Sequence, residues 1–486
     1  MATRIPQNHA EFSIAELLAA TGGVLSLGSA EGRATSVSTN TREIAPGAVF
    51  VALRGPTHDG HAYVAAAAAA AAAVVIVESE VEAPEGITVI RVRSTMRALA
   101  DLARAHVQRW QGSGKRTLIG ITGSAGKTTT RVATAALMES VIPGSVVATR
   151  GNLNNRIGVP MMLFSLRPEH RSCVVELGTS EPGEIAELCR MAQPDVGILT
   201  LVAAAHLDGL GSLDGVEQEK SALFRALSPA GIAIGNGDDE RVLRTLGRSP
   251  ALQRFTYGRS ASAHVRVIAR TALGMRSSRV VVSRADGRIS TFETPLVGEA
   301  GALACAAAIA AVEVAFGVVL DDARLTEAFA EVMLGEGAQR LVPIELVSGL
   351  CVVDDAYNAN PASMAASIRA ASEMASAMHR RLVLVLGEMR EQGREAAAGH
   401  QEIGRVAAES GASVLIAVGG GSAHCMADVA ERSLPHVRFA PTVQVGLGAV
   451  LDAVSANDLV LVKASRSVGL DRIVAELERQ HGPRRG

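Results

Sequence analysis

Aromatic residues are scarce: one Trp, three Tyr and nine Phe among 486 residues. The cores must therefore come from Ala, Val, Leu and Ile, and a 48% hydrophobic fraction is enough for sizeable ones. No charge of one sign dominates, with 47 Lys and Arg against 49 Asp and Glu and no long run of either. That balance excludes a nucleic-acid or polybasic membrane-surface protein, but a local site for a small phosphorylated substrate remains open. The five cysteines (Cys173, Cys189, Cys305, Cys351, Cys425) are scattered and contain no Cys-x-x-Cys pair, which indicates neither a disulfide framework nor a zinc site. The longest apolar run, Val64 to Val77, is too short to span a bilayer; mostly alanine, it predicts a buried helix running into a strand. Met1 to Phe12 is polar and charged where a signal peptide would be apolar. The expectation is a soluble, cytoplasmic chain without membrane insertion.

At about 150 residues per domain the length implies three domains, drawn here at 1–93, 94–337 and 338–486. In the first, short β-like runs (Val49–Leu53, Val74–Val77, Thr88–Arg91) alternate with helical stretches. A helix predicted over Thr95–Trp110 leads through Gln111–Lys115 into a strand at Thr117–Ile121. Further strands follow at Cys173–Leu177, Val196–Val202 and Gly231–Ile234. From about Gln339, strands at Leu350–Val353, Leu382–Leu386, Val414–Val418 and Leu459–Val462 alternate with helical patterns, the signature of a parallel, doubly wound sheet.

The sharpest motif is Gly120-Ile-Thr-Gly123-Ser124-Ala125-Gly126-Lys127-Thr128-Thr129, set between an apolar strand and a helix. Glycines let the backbone wrap a phosphate with its N–H groups and the helix N-terminus facing the anion. Lys127 would reach the β/γ-phosphates and the Thr128 hydroxyl would bind Mg²⁺. The generic pattern has its first glycine six residues before the lysine, where this chain has Ile121. Glu176 closes a strand near this loop, a position suited to a Mg²⁺ ligand. His206 follows another strand and is either structural or a ligand. Lys220 lies on one face of a helix predicted over Leu213–Leu227, with Val216, Leu223, Phe224 and Leu227. A lysine in such a stripe snorkels out, pairs with Glu217, or is modified. Finally, Asp354-Asp355-Ala-Tyr357-Asn358-Ala-Asn360-Pro361 leaves a strand end; it is either a turn closed by Pro361 or a ligand-binding mouth.

Together these segments resemble the Mur ligase family along nearly the whole chain and in the family's order. The loop Gly120–Thr129 matches that family's own glycine spacing. Gly151-Asn-Leu-Asn154-Asn155-Arg-Ile-Gly158 resembles the segment after the loop's helix. Glu176-Leu-Gly178 with Gly183-Glu184-Ile185, and Ala205-His206-Leu207, resemble the segments that supply magnesium ligands. The resemblance implies a three-domain α/β architecture with a central P-loop ATPase domain, a C-terminal Rossmann-like domain for the incoming dipeptide and an N-terminal domain for the UDP-linked substrate. It implies ATP and two Mg²⁺ ions, one held by Thr128 and Glu176, the other by His206 and a carbamylated Lys220. Gly123, Ser124, Ala125, Gly126, Lys127, Thr128, Thr129, Asn236, Arg340 and Asp355 would bind ATP. Ser38, Thr41, Arg42 and Asn154 would bind the UDP-substrate, and Tyr357, Asn358 and Asn360 the dipeptide. Lys127, Lys220, His206 and Glu176 would be the catalytic set.

The segment Asp354–Pro361 is the most type-specific part of the resemblance. It points to members that join D-alanyl-D-alanine to UDP-MurNAc-tripeptide through an acyl phosphate, acting as monomers. Gly387-Glu388-Met389, Gly393, His400 and Lys463-Ala-Ser465-Arg466 complete the C-terminal pattern. Asp59-Gly60-His61 resembles part of the N-terminal domain. There are two departures. Asn40 stands where the family usually has Asp. The segment Gly298-Glu-Ala300-Gly301-Ala-Leu-Ala304 replaces an asparagine-containing pattern that contacts the nucleotide. A related ligase with another acceptor, or a nucleotide-binding regulator that makes no bond, are the competing readings.

Overall fold

The structure, a computed structural model, describes residues 3, 5–55, 57–332 and 340–482. The expected boundary at 337/338 and the start of the third region near Gln339 lie outside the described residues.

Three larger sheets, beside a two-stranded pair of Phe12–Ser13 and Arg33–Ala34, organise the chain. The first runs, in spatial order, Val24–Leu27, Thr88–Arg91, Val74–Val77, Val49–Val51, Val37–Ser38, parallel except for its first strand. The Ala-rich run becomes helix Val64–Ala69 followed by strand Val74–Val77. Helix Thr95–Gly112, capped by Ser94 at the Arg97 amide, joins this body to the next. Its inward face ends in Trp110, which is 4% exposed and donates from Nε1 to the His170 carbonyl.

The second sheet has nine strands, ordered Ile289–Thr294, Ser278–Arg284, Val265–Ala272, Gln253–Gly258, Ile232–Asn236, Val196–Leu199, Thr117–Thr122, Ser172–Glu176, Val146–Ala148. It is parallel from Val146–Ala148 through Val265–Ala272, with two antiparallel strands added at the far edge. The strand expected over Val196–Val202 ends at Leu199, because Thr200 to Ala203 turn aside to bond the glycine-rich loop. The helix expected over Leu213–Leu227 is two pieces, Leu213–Lys220 and Ala222–Ala226, interrupted at Ser221. Helix Gly298–Phe316 is long and apolar enough to cross a membrane, but most of it is buried among alanines and valines against helix Lys127–Val141 and the sheet. It is a core helix.

The third sheet is ordered Val342–Glu345, Cys351–Asp355, Asp458–Lys463, Arg381–Gly387, Val414–Val418, His436–Ala440, all parallel but the first. Pro361 does not close a turn; it opens helix Pro361–Ala377, where its missing N–H costs nothing. Asn360 caps that helix in a reciprocal box with Ser363. The second and third sheets turn the C-terminal ends of their strands, including Thr122, Glu176, Asp355 and Lys463, towards one cleft, where open α/β sheets bind ligands.

The far edge of the central sheet is tied down by a buried ion pair. Arg284 and Glu313 have side chains 5% and 11% exposed, and the guanidinium also donates to Ser290 Oγ and the Leu320 carbonyl. Removing one partner leaves an uncompensated buried charge, so Glu313→Leu should lower the stability of this region by about 3 kcal/mol in chemical denaturation. The double variant Arg284→Met/Glu313→Leu should lose less than the sum of the two single changes.

Candidate active site

The glycine-rich loop is shaped by backbone that only glycine tolerates well. Gly123 (φ 151°) approaches Thr200 so closely that a Cβ would sit 1.9 Å from its Oγ1. Gly126 (φ 81°) turns the chain into helix Lys127–Val141. The loop is held from outside: Thr200 Oγ1 donates to the Ala125 carbonyl at 2.5 Å, and Ser124 Oγ donates to the Ala203 carbonyl at 2.8 Å. Lys127 folds back onto the Gly123 carbonyl (2.7 Å). Burial lowers its pKa, opposed by Glu176. An ammonium so placed gains most from an anion arriving in the loop.

Glu176, 3% exposed, receives Thr128 Oγ1 at 3.0 Å and Asn154 Nδ2 at 2.8 Å, with Arg131 Nε 3.6 Å away. Hydroxyl and carboxylate oxygens are the donor chemistry Mg²⁺ selects, and two protein ligands suffice when phosphate and water complete the shell. Among the described residues, no group of three or more His, Cys, Asp or Glu could hold a metal by itself.

Lys220 is 1% exposed, and its Nζ has no hydrogen-bond partner. Burial, aided by Lys127, drives its pKa well below the ordinary value despite Glu219, Glu184 and Glu176. Pairing with Glu217 does not occur, since that carboxylate binds Arg241 and Arg244 on the other side of the helix. Glu219 is also spoken for, accepting from the Gly183 and Ile185 amides. Lys220 is therefore a buried amine with lowered basicity, and a neutral amine can add to CO₂.

His206 sits at φ 54° with Nδ1 2.5 Å from Glu391 Oε2. Burial and Lys127 lower its pKa while Glu391 opposes them. On the opposite wall, Asp355 and Lys463 are cross-strand partners, 2% and 1% exposed and 2.6 Å apart. Ser367 donates to the same Asp355 oxygen; Oδ1 has no partner. Arg340 lies over the Tyr357 ring at 5.2 Å and Arg466 at 5.6 Å. Asn360 Nδ2 donates to the Ser124 carbonyl at 3.0 Å, joining the third body directly to the loop.

One cavity of about 340 Å³ gathers Ser124–Thr129, Asn154, Glu176, His206, Arg340, Asp355, Tyr357, Asn358 and Asn360. Lys220 and Gly123 lie behind its wall. Three expected residues fall elsewhere. Ser38 and Arg42 line a separate groove in the N-terminal body, and Thr41 opens a short helical turn beside them, capped by Asn40. Asn154, grouped with them from the sequence, lines the cleft and donates to Glu176. Asn236 is buried, its amide donating to the Thr200 carbonyl, so it supports the loop from beneath. Asp59 and His61 bond each other, His61 Nε2 also accepts from the Glu78 amide, and His400, from helix Ala396–Glu409, accepts from the Met389 amide, so both histidines brace backbone. In the departing segment, Gly298 and Ala300 line the cavity, and Glu299 pairs with Arg259. Sequence reasoning missed Glu391, Arg131 and the pairing of Lys463 with Asp355. The last had a signal, since both residues end apolar strands; Glu391 had none.

Residues 33–107 match the description "Mur ligase family, catalytic domain", 121–312 "Mur ligase middle domain", and 339–466 "Mur ligase, glutamate ligase domain". The chain is 32% identical over 446 residues to UDP-N-acetylmuramoyl-tripeptide--D-alanyl-D-alanine ligase of Escherichia coli (strain K12), covering 91% of this chain and 93% of that protein. A crystal structure of MurF from Acinetobacter baumannii superposes with a TM-score of 0.84 at 28% identity, over 96% of this chain and 99% of the other. MurF ligase from Thermotoga maritima in complex with ADP gives 0.78 at 25% identity, over 92% and 97%.

Gly123→Ala is expected to weaken ADP binding, measured by calorimetry, about 10- to 100-fold. Overpacking costs ~1–3 kcal/mol, and here the loop and Thr200 would have to absorb it.

Proposed function

This chain belongs to the Mur ligase family, and on that premise we propose that it joins D-alanyl-D-alanine to UDP-MurNAc-tripeptide with consumption of ATP in peptidoglycan synthesis. The observation that carries the reading is the single cleft in which the Lys127 loop, Glu176 and the Asp355–Asn360 wall face one another. The five free cysteines agree with a reducing, cytoplasmic setting. The first body would hold the UDP-substrate with Ser38, Thr41 and Arg42, the second ATP, and the third the dipeptide with Tyr357, Asn358 and Asn360. We take the working unit to be the monomer, since every residue invoked comes from one chain.

The tripeptide's terminal carboxylate attacks the γ-phosphorus of ATP; the bond to the bridging oxygen breaks, and ADP leaves. The dipeptide's amino group then attacks the acyl carbon, the acyl–phosphate bond breaks, and a proton is lost as the amide forms. Lys127 neutralises charge on the phosphoryl oxygens, and loop amides orient them. Arg340 and Lys463 add positive charge on the facing wall, with Asp355 fixing the lysine. Asn360, by bonding Ser124, holds that wall against the loop and limits water, which would hydrolyse the acyl phosphate.

The residues present fit two Mg²⁺ ions. Thr128 and Glu176 would hold one, and His206 with Lys220 the other, the lysine carrying a carbamate. Magnesium supplies charge neutralisation on phosphate oxygens. The orphaned Lys220 Nζ supports the modification: its neutral amine adds to CO₂, forming an N–C bond and releasing one proton. The product is an anion beside Lys127, replacing an amine that has no partner.

ADP release should depend on the dipeptide, and product mass should rise by one D-alanyl-D-alanine less water. ATP binding with no dipeptide-dependent turnover would sink the assignment. A carbamate carbon signal should appear on incubation with ¹³C-bicarbonate and be absent from Lys220→Ala, whose kcat should fall at least ~100-fold. Because the amine must be neutral to react, signal and activity should decline together as pH falls and Lys220 is reprotonated; a signal that strengthens in acid would contradict the modification.

A further inference from the structure

Glu391 belongs to none of the residue sets read from the sequence, yet it joins the second and third bodies directly. It follows strand Arg381–Gly387 in the third body, and its carboxylate Oε2 is 2.5 Å from His206 Nδ1 in the second. Its backbone carbonyl accepts from the Leu207 amide at 2.8 Å. Two residues on, Gly393 (φ 53°) packs so that a Cβ would lie 3.2 Å from Asp208 Oδ1. Both His206 (φ 54°) and Glu391 (φ 61°) occupy the left-handed region that residues with a side chain avoid. The strained backbone at both ends of one contact implies that docking of the two bodies holds it.

The chemistry of the contact fixes the imidazole. A carboxylate only accepts, so Nδ1 must carry the proton, and in a neutral imidazole Nε2 is then left with its lone pair. His206 lines the cleft. We propose that Glu391 is a positioning residue: from the third body it sets the tautomer and orientation of His206, so the cleft's histidine can ligate a divalent cation only when the third body is docked. Removal of such an outer partner typically costs 10–100-fold in metal affinity. This inference rests on the reading of His206 as a metal ligand.

The test is a Mn²⁺ titration of the full-length protein with ADP present, read by electron paramagnetic resonance. Glu391 is half-exposed, so its substitution does not open the core. Glu391→Ala should weaken Mn²⁺ binding about tenfold. Glu391→Gln, whose amide oxygen still accepts from Nδ1–H, should stay within about threefold of the unsubstituted protein. In a His206→Ala background, Glu391→Ala should add nothing. Unchanged binding in Glu391→Ala, a Gln variant as weak as the Ala variant, or a further loss in the His206→Ala background would each overturn the proposal. If His206→Ala itself binds Mn²⁺ normally, the ligand reading falls and this inference with it. If His206→Ala weakens binding and Glu391→Ala does not, only the inference falls.

Discussion

Burying positive charge is the constraint on which this molecule's site depends. Lys127, Lys463 and Arg131 lie within or just behind one cleft, and Lys463 is only 1% exposed. Desolvating ammonium groups costs several kcal/mol apiece unless partners offset it. Glu176 and Asp355 supply part of that compensation and leave a deficit of negative charge. A triphosphate and an acyl phosphate are anions of the kind that would make it up. The start of the alanine-rich helix Gly298–Phe316 and the capped helix Pro361–Ala377 line the same cleft.

The same constraint made part of the site legible in the sequence. A glycine-rich loop ahead of Lys-Thr reads clearly because its spacing is local, and Lys220 stood out because an apolar stripe exposes a misplaced charge. Glu176 and Asp355 could be found as acids at the ends of apolar strands. What could not be read were the pairings between the second and third bodies: Glu391 with His206 and Asn360 with Ser124. Each depends on how two sheets face each other, and no periodicity carries that. Asn154 and Asn236 show the same limit, since an amide's role is set by the neighbour it meets.

The fold was legible wherever apolar runs were continuous, as at Val74–Val77, Val414–Val418 and Asp458–Lys463, but the parallel strands Val37–Ser38, Val146–Ala148, Gln253–Gly258, Val265–Ala272 and His436–Ala440, with shorter or more polar runs, were not placed. Strand Val196–Leu199 stops early because Thr200–Ala203 are turned to the loop, and the helix around Lys220 is interrupted at Ser221, whose hydroxyl donates to the Gln218 carbonyl. Local patterns describe elements packed for stability; they fail where the backbone is diverted to hold a site.

The scarcity of aromatic residues bears on how this protein can be watched. Its single tryptophan is sealed at the junction of the first and second bodies, hydrogen-bonded to the His170 carbonyl and absent from the lining of the cleft. Intrinsic emission therefore reports on that joint. The molecule is optically almost silent where its reacting groups meet, which makes the cleft a nearly dark background for a reporter fluorophore introduced there.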